Sequence, residues 1–259
     1  MIKAINVGTE GWAEVPELFY EKKVNICQNV PYINNECDIN VLCLVESDLI
    51  TPTFSDEILE KFDLILTWRK DIVQKFNNAK LFLYGTKWVE EMEDISLKEN
   101  KMSFLMSNKL MTSGHIFRHE AFNSVSFIDQ SKYDIECNYL ISPPRIDSKN
   151  QVLDSYKFSV VMENSVAENY FTEKIIDCFS TKTVPLYWGC PNIGEYFDES
   201  GIIFFNEIVD LIDKIINLNP ETYNEMLDAV EKNFELAKQY YSLWDRIDES
   251  IKKFLNERK

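Results

Sequence analysis

The sequence predicts an α/β protein built on parallel sheets, and three observations carry that prediction. Short β-rich apolar runs alternate with amphipathic helical stretches through most of the chain, the pattern of strands joined by crossover helices. Residues 156–205 hold one complete strand, helix, strand succession, and such a unit sets its strands parallel. The length of 259 residues, 45% hydrophobic and 13% aromatic, supports two modest domains, each with its own core. With 7 Gly, 8 Pro and no repeat or biased tract, neither a fibrous nor a disordered chain is expected.

Residues 1–100 are the expected first domain. Strands are predicted at 5–7, 24–26, 41–45, 64–66 and 79–84, with helices at 56–62 and 71–76, because β-branched and apolar runs alternate there with helical spacing. The run at 41–45 stops at Glu46-Ser47-Asp48, which puts two carboxylates at the carboxyl end of a strand, a functional address in such sheets. They read equally as caps of the following turn, or as a D-x-D-like metal element without a companion motif.

Residues 101–259 are the expected second domain. It opens with a strand at 102–106, then Ser107-Asn108 and a helical stretch at 120–124 with Arg118 near its start. Ser142-Pro143-Pro144 marks a turn. In the unit that follows, residues 157–162 (K-F-S-V-V-M) are a strand, residues 172–180 a helix with Ile175, Ile176 and Phe179 on one face, and residues 183–187 (T-V-P-L-Y) a second strand. The connecting loop carries Glu163, Asn164 and Tyr170, and the helix opens with Thr172, Glu173 and Lys174. A helix N-terminus with a lysine in its first turn suits a phosphate. The same residues also describe an ordinary capped helix, with Thr172 or Asn169 as the cap.

These residues carry a resemblance. Glu163-Asn164-Ser165, Tyr170-Phe171-Thr172-Glu173-Lys174 and Thr183-Val184-Pro185-Leu186-Tyr187-Trp188-Gly189-Cys190-Pro191 resemble the donor-site signature of the α-1,3-fucosyltransferases, glycosyltransferase family 10. Met162 stands where that family usually has Phe, and Phe171 where it has Val. The resemblance implies the GT-B fold, two Rossmann-like domains facing a cleft, and inverting transfer of fucose from GDP-fucose to a glycan hydroxyl. It implies donor contacts by Arg118, Asn164, Tyr170, Glu173 and Lys174, and Glu46 as the base, with no obligatory metal. Two alternatives stand beside it: a GT-B enzyme for another GDP-deoxysugar, and a noncatalytic nucleotide- or carbohydrate-binding protein.

The formal charge of −16 speaks against nucleic acid or an anionic membrane as partner, since both would be repelled over most of the surface. His115 and His119 stand four apart, a zinc-compatible spacing, but no Glu follows His115, so no metal is expected there. Six cysteines without a C-x-x-C pair point to reduced thiols and a cytoplasmic setting. No apolar run reaches the length of a membrane span, and the amino terminus lacks a signal-peptide core. Helices are expected at 208–216, 220–240 and 243–255, the last striped by Leu243, Ile247, Ile251 and Leu255, which suits docking on a domain.

Overall fold

The computed structural model describes residues 1–7, 16–51, 53–142 and 146–259. It divides into two compact units: Met1–Tyr84 with Glu168–Tyr170 and Ser242–Lys259, and Gly85–Ala167 with Phe171–Tyr241. The chain therefore changes unit between Tyr84 and Gly85, against the expected boundary near residue 100, and its last helix belongs to the first unit. The turn expected at Pro143 and Pro144 lies outside the described residues.

In the first unit β1 (Ile2–Lys3) pairs antiparallel with β3 (Phe19–Tyr20). The main sheet joins β2 (Ile5–Val7), β4 (Val24–Gln28), β5 (Ile39–Leu44), β6 (Leu64–Thr67) and β7 (Ala79–Leu81) side by side in that order, all parallel. The central strand β5 is buried at every position because successive side chains enter opposite layers. Val41 and Cys43 join one core, with Ile247 and Ile251 of the C-terminal helix, while Leu42 and Leu44 join another. That second layer is completed by Leu59 of α1 (Asp56–Leu59) and Ile72 of α2 (Lys70–Lys75).

In the second unit the strands are β8 (Glu99–Ser107), β9 (Glu136–Ser142), β10 (Tyr156–Met162), β11 (Val184–Trp188) and β12 (Ile203–Phe204). They lie parallel in the order β12-β11-β10-β8-β9. From β8 the chain steps outward to β9, then returns to β10 on the other side of β8, so the order reverses between β8 and β10. In open α/β sheets ligands bind at the carboxyl ends of the strands flanking such a reversal. Helix α3 (Ser113–Val125) links β8 to β9 and α4 (Glu173–Ser180) links β10 to β11. Helices α5 (Ile208–Asn217), α6 (Pro220–Glu225) and α7 (Leu227–Ala237) follow, and α8 (Leu243–Asn256) ends the chain.

At the opposite end of this sheet Lys98 is buried and donates to the Leu153 carbonyl (2.7 Å), the Tyr156 carbonyl (2.9 Å) and Thr183 Oγ1 (2.8 Å). One ammonium thus joins the approaches to β8, β10 and β11. Burial pushes its pKa down to about 7, since the charged form is the one that desolvation penalises.

The division at Tyr84 has a hydrogen-bonding cause. Beyond it the chain is stitched onto the second unit: Trp88 N donates to Asp177 Oδ1 (2.7 Å) and Met92 N to the Ser180 carbonyl (3.1 Å). Arg246 of α8 donates to the carbonyls of Leu83 (2.8 Å) and Tyr84 (3.0 Å), which ties the last helix to the first unit. Other departures are local. The expected helix 220–240 is broken at Met226 into α6 and α7, with a 3₁₀ turn at Lys238–Tyr240. Strand β9, absent from the sequence reading, is an edge strand whose residues are mostly half-buried, and such a strand shows no clear alternation. No described helix is long and apolar enough to cross a membrane.

Candidate active site

The site is built where β10 ends. Glu163 N donates to the Trp188 carbonyl at 2.9 Å, so the strand carries Glu163 into the interior, where it is fully buried. Its carboxylate then accepts from Thr172 twice, Oε1 from the amide at 2.9 Å and Oε2 from the hydroxyl at 2.7 Å. Thr172 is the N-cap of α4, and its Oγ1 accepts from the Lys174 amide at 3.3 Å. A buried carboxylate at a helix N-terminus meets both free donors and the positive end of the dipole. Part of the anion-attracting potential expected at this helix is therefore occupied by the protein's own Glu163. Gly189 makes room for it: a Cβ there would stand 2.6 Å from Glu163 Cγ and 2.5 Å from the Tyr187 hydroxyl.

Helix α3 arrives from β8 with its first turn against the same corner. The cap Thr112 accepts the His115 amide (3.1 Å) and donates its hydroxyl to the Asn164 carbonyl (2.9 Å). With that proton committed, His115 Nδ1, 2.8 Å from Thr112 Oγ1, is the donor in their contact. Burial, with Arg118 and Lys174 nearby, holds the His115 pKa down to about 4. Gly114 permits the approach, since a Cβ would stand 2.6 Å from the Asn164 carbonyl carbon and 2.8 Å from the Glu163 oxygen. One turn on, Arg118 is buried and donates to the Met162 carbonyl, the Glu163 carbonyl (3.1 Å) and Asn164 Oδ1 (3.3 Å).

Lys174 Nζ lies 3.0 Å from Thr172 Oγ1, 3.5 Å from Glu163 Oε2 and 3.4 Å from Glu173 Oε1. Glu173 also faces Lys149 at 3.5 Å, and Lys149 meets Asp177 Oδ2 at 2.8 Å. Burial alone would raise the Glu173 pKa, but Lys174 and Lys149 outweigh it and bring it down to about 2. Burial pushes Asp177 up to about 6, against the opposing pull of Lys149. Arg118, Lys149 and Lys174 thus meet Glu163, Glu173 and Asp177 in a local balance of charge, inside a chain that carries −16 overall.

The structure brings Arg118, Asn164, Glu173 and Lys174 together at the reversal between β8 and β10, all in the second unit. It places two other expected residues in the first unit. Tyr170 is fully buried, with its ring 4.9 Å from that of Trp68. Glu46 follows β5 with a half-buried side chain; its amide donates to Asn29 Oδ1 at 3.1 Å and its carbonyl accepts from Trp68 Nε1 at 3.1 Å. Phe171, Phe where the resembled family has Val, is fully buried and packs its ring among those of Tyr196, Phe197 and Tyr240. The sequence reading missed the packing of Thr112, Gly114 and His115 and the charges of Lys149 and Asp177. Ser113-Gly114 disguised the start of α3 as loop, and Lys149 stands 24 residues before Glu173 without any periodic signal. Among the described residues no group of three His, Cys, Asp or Glu is placed to hold a metal ion.

The family model described as "Glycosyltransferase family 10 (fucosyltransferase) C-term" matches residues 95–255, most of the chain and all of the corner just described. The chain belongs to glycosyltransferase family 10. Its similarity to the α-(1,3)-fucosyltransferase FucT of Helicobacter pylori is 32% identity over 102 residues, covering 37% of this chain and 21% of that protein. This family 10 chain thus spans about a fifth of that relative's length. A crystal structure of an α1,3-fucosyltransferase with GDP-fucose aligns with TM-score 0.56 and 18% identity over 87% of this chain and 78% of that one. TarM aligns with TM-score 0.58 and 13% identity over 90% and 54%. At such identities the likeness speaks for the fold, and the fold of this family 10 chain is GT-B.

Proposed function

We propose that this family 10 protein is an inverting glycosyltransferase that moves fucose from GDP-fucose to a glycan hydroxyl, giving an α-1,3 linkage. The observation that carries the reading is the corner where β10, α3 and α4 meet at the strand-order reversal, with Arg118 and Lys174 gathered at the head of a helix. Displacement with inversion needs a base on the acceptor hydroxyl and positive charge on the departing diphosphate. Lys174 takes the second task, with Arg118 able to grip two phosphate oxygens at once. Asn164 and Glu173 offer acceptors to the donor sugar or ribose, and Tyr170 serves the nucleoside side. Glu46, at the carboxyl end of β5, is proposed as the base. The side-chain cations make a metal dispensable.

Incubation with GDP-fucose labelled in the sugar, over a glycan array, tests the reading. Label transferred to glycans carrying an accessible hydroxyl is the expected result. GDP binding without turnover would make the protein a nucleotide-binding module. Turnover of a different GDP-deoxysugar in a parallel donor panel would change the sugar and leave the donor-site assignment in place.

A further inference from the structure

Lys149 opens the 3₁₀ turn Lys149–Val152 ahead of β10, outside every motif of the sequence. Its Nζ lies 2.8 Å from Asp177 Oδ2 and 3.5 Å from Glu173 Oε1, and 4.7 Å from the centroid of the Trp88 ring. The two carboxylates stand four apart on α4, one above the other on the same helical face, where like charges repel. Both are buried, Asp177 at 1% exposure and Glu173 at 6%. Glu173 Oε1 is also 3.4 Å from Lys174 Nζ, so a single oxygen is shared between the two lysines.

We propose that Lys149 is a positioning residue of the donor site: by neutralising Glu173 and Asp177 it keeps Lys174 available to the diphosphate of an incoming nucleotide. This rests on the donor-site reading above. Two buried carboxylates against Lys174 alone would leave a charge uncompensated, the arrangement a buried site tolerates least. Lys174 would then be drawn onto Glu173, or a carboxylate would take up a proton. The titratable groups facing the pair are Lys174, Asp177 and Cys178 from α4, Glu163 from the end of β10 and Lys149 itself. The opposed shifts of Glu173 and Asp177 agree with this division, in which Lys149 and Lys174 together hold Glu173 ionised.

The test is calorimetric titration with GDP at about pH 8 and about pH 5.5, each variant compared with the parent protein at the same pH so that titration of the nucleotide cancels. Lys149→Met is expected to weaken GDP binding roughly tenfold at the higher pH, the size of one lost charge-assisted contact. The deficit shrinks at the lower pH, where a protonated carboxylate releases Lys174. Lys149→Arg keeps the charge and should restore near-parental binding. Should Lys149→Met fail to fold, Lys149→Met combined with Asp177→Asn removes the stranded carboxylate and should bind GDP nearly as the parent protein does at both pH values; a deficit in that double variant at the higher pH overturns the proposal. For Lys149→Met itself, a deficit of equal size at both pH values, or none at either, overturns it. Failure of the parent protein to bind GDP overturns the donor-site reading, and this inference with it.

Discussion

Glu163 holds Thr172 by both carboxylate oxygens, at 2.9 Å on the amide and 2.7 Å on the hydroxyl, so the cap of α4 hangs on the end of β10. Glu163→Gln keeps the shape but can accept through one oxygen only. The expected cost is about 1–3 kcal/mol of stability, read as a lower denaturant midpoint with an unchanged slope. GDP affinity should fall with it, because the head of α4 is no longer fixed. Unaltered stability would mean that the clamp contributes nothing to the fold.

Arg118 and Lys174 are both assigned to the diphosphate, yet their surroundings differ. Each alanine variant should weaken GDP binding by at least roughly 1.5 kcal/mol for the lost charge-assisted contact. Arg118 also binds the Met162 and Glu163 carbonyls, so Arg118→Ala should lower the melting temperature as well. Lys174 is about a quarter exposed, at 23%, but faces the buried carboxylates of Glu163 and Glu173, so its replacement leaves charge uncompensated there and should lower the melting temperature too, through lost charge balance and not through lost backbone contacts. Parental GDP affinity in both variants removes the assignment.

Glu46→Gln tests the base. Loss of a positioned general base typically costs about 10²- to 10⁴-fold in rate, with donor affinity preserved. A structural role predicts a small loss of stability with catalysis intact. Turnover reduced by less than about tenfold would pass the role to Asp48 or His115.

Phosphate neutralisation by side chains predicts that transfer survives EDTA. Modest stimulation by divalent ions is compatible with this, since they screen a chain of formal charge −16. Abolished activity, restored by Mn²⁺, would give the Glu46-Ser47-Asp48 stretch a metal-binding role.

Lys98, with its pKa lowered to about 7, sets a pH dependence whose sign is fixed. Between that value and the ordinary lysine pKa of about 10.4 the unfolded chain binds the extra proton, so stability from this group rises with pH. It is lost as pH falls through about 7. The stability of the parent protein relative to Lys98→Met should therefore increase from about pH 7 to about pH 9, measured by urea unfolding at each pH, other groups cancelling in the difference. A flat difference would show that Lys98 stays charged in the folded protein.

Much of both units was legible because the signals are local. The strand at 157–162 is observed as Tyr156–Met162 and the helix at 172–180 as Glu173–Ser180, with Thr172 as the cap. The stripe Leu243, Ile247, Ile251 and Leu255 is α8, with Ile247 and Ile251 fully buried. The continuous apolar run at 41–45 marked β5 as a buried strand and set Glu46 at its carboxyl end. These readings need only side-chain periodicity and the chemistry of turns, which act within one or two helical turns of chain.

By itself the sequence determined the α/β class, the family signature and the place of Glu173 and Lys174 at the head of a helix. The tertiary structure alone decided that Glu163 spends its charge on Thr172, that Arg118 meets β10 across 44 residues of chain, and that Lys149 stands behind Glu173. It also decided that α8 and Tyr170 belong to the first unit. The reason is the order in which the strands lie. Placing β10 beside β8, with β9 outside them, brings the first turn of α3 to the end of β10, and no local pattern encodes which strands become neighbours. Periodicity tells which face of an element is buried; only the packed sheet tells what that face, and the charges at its end, will meet.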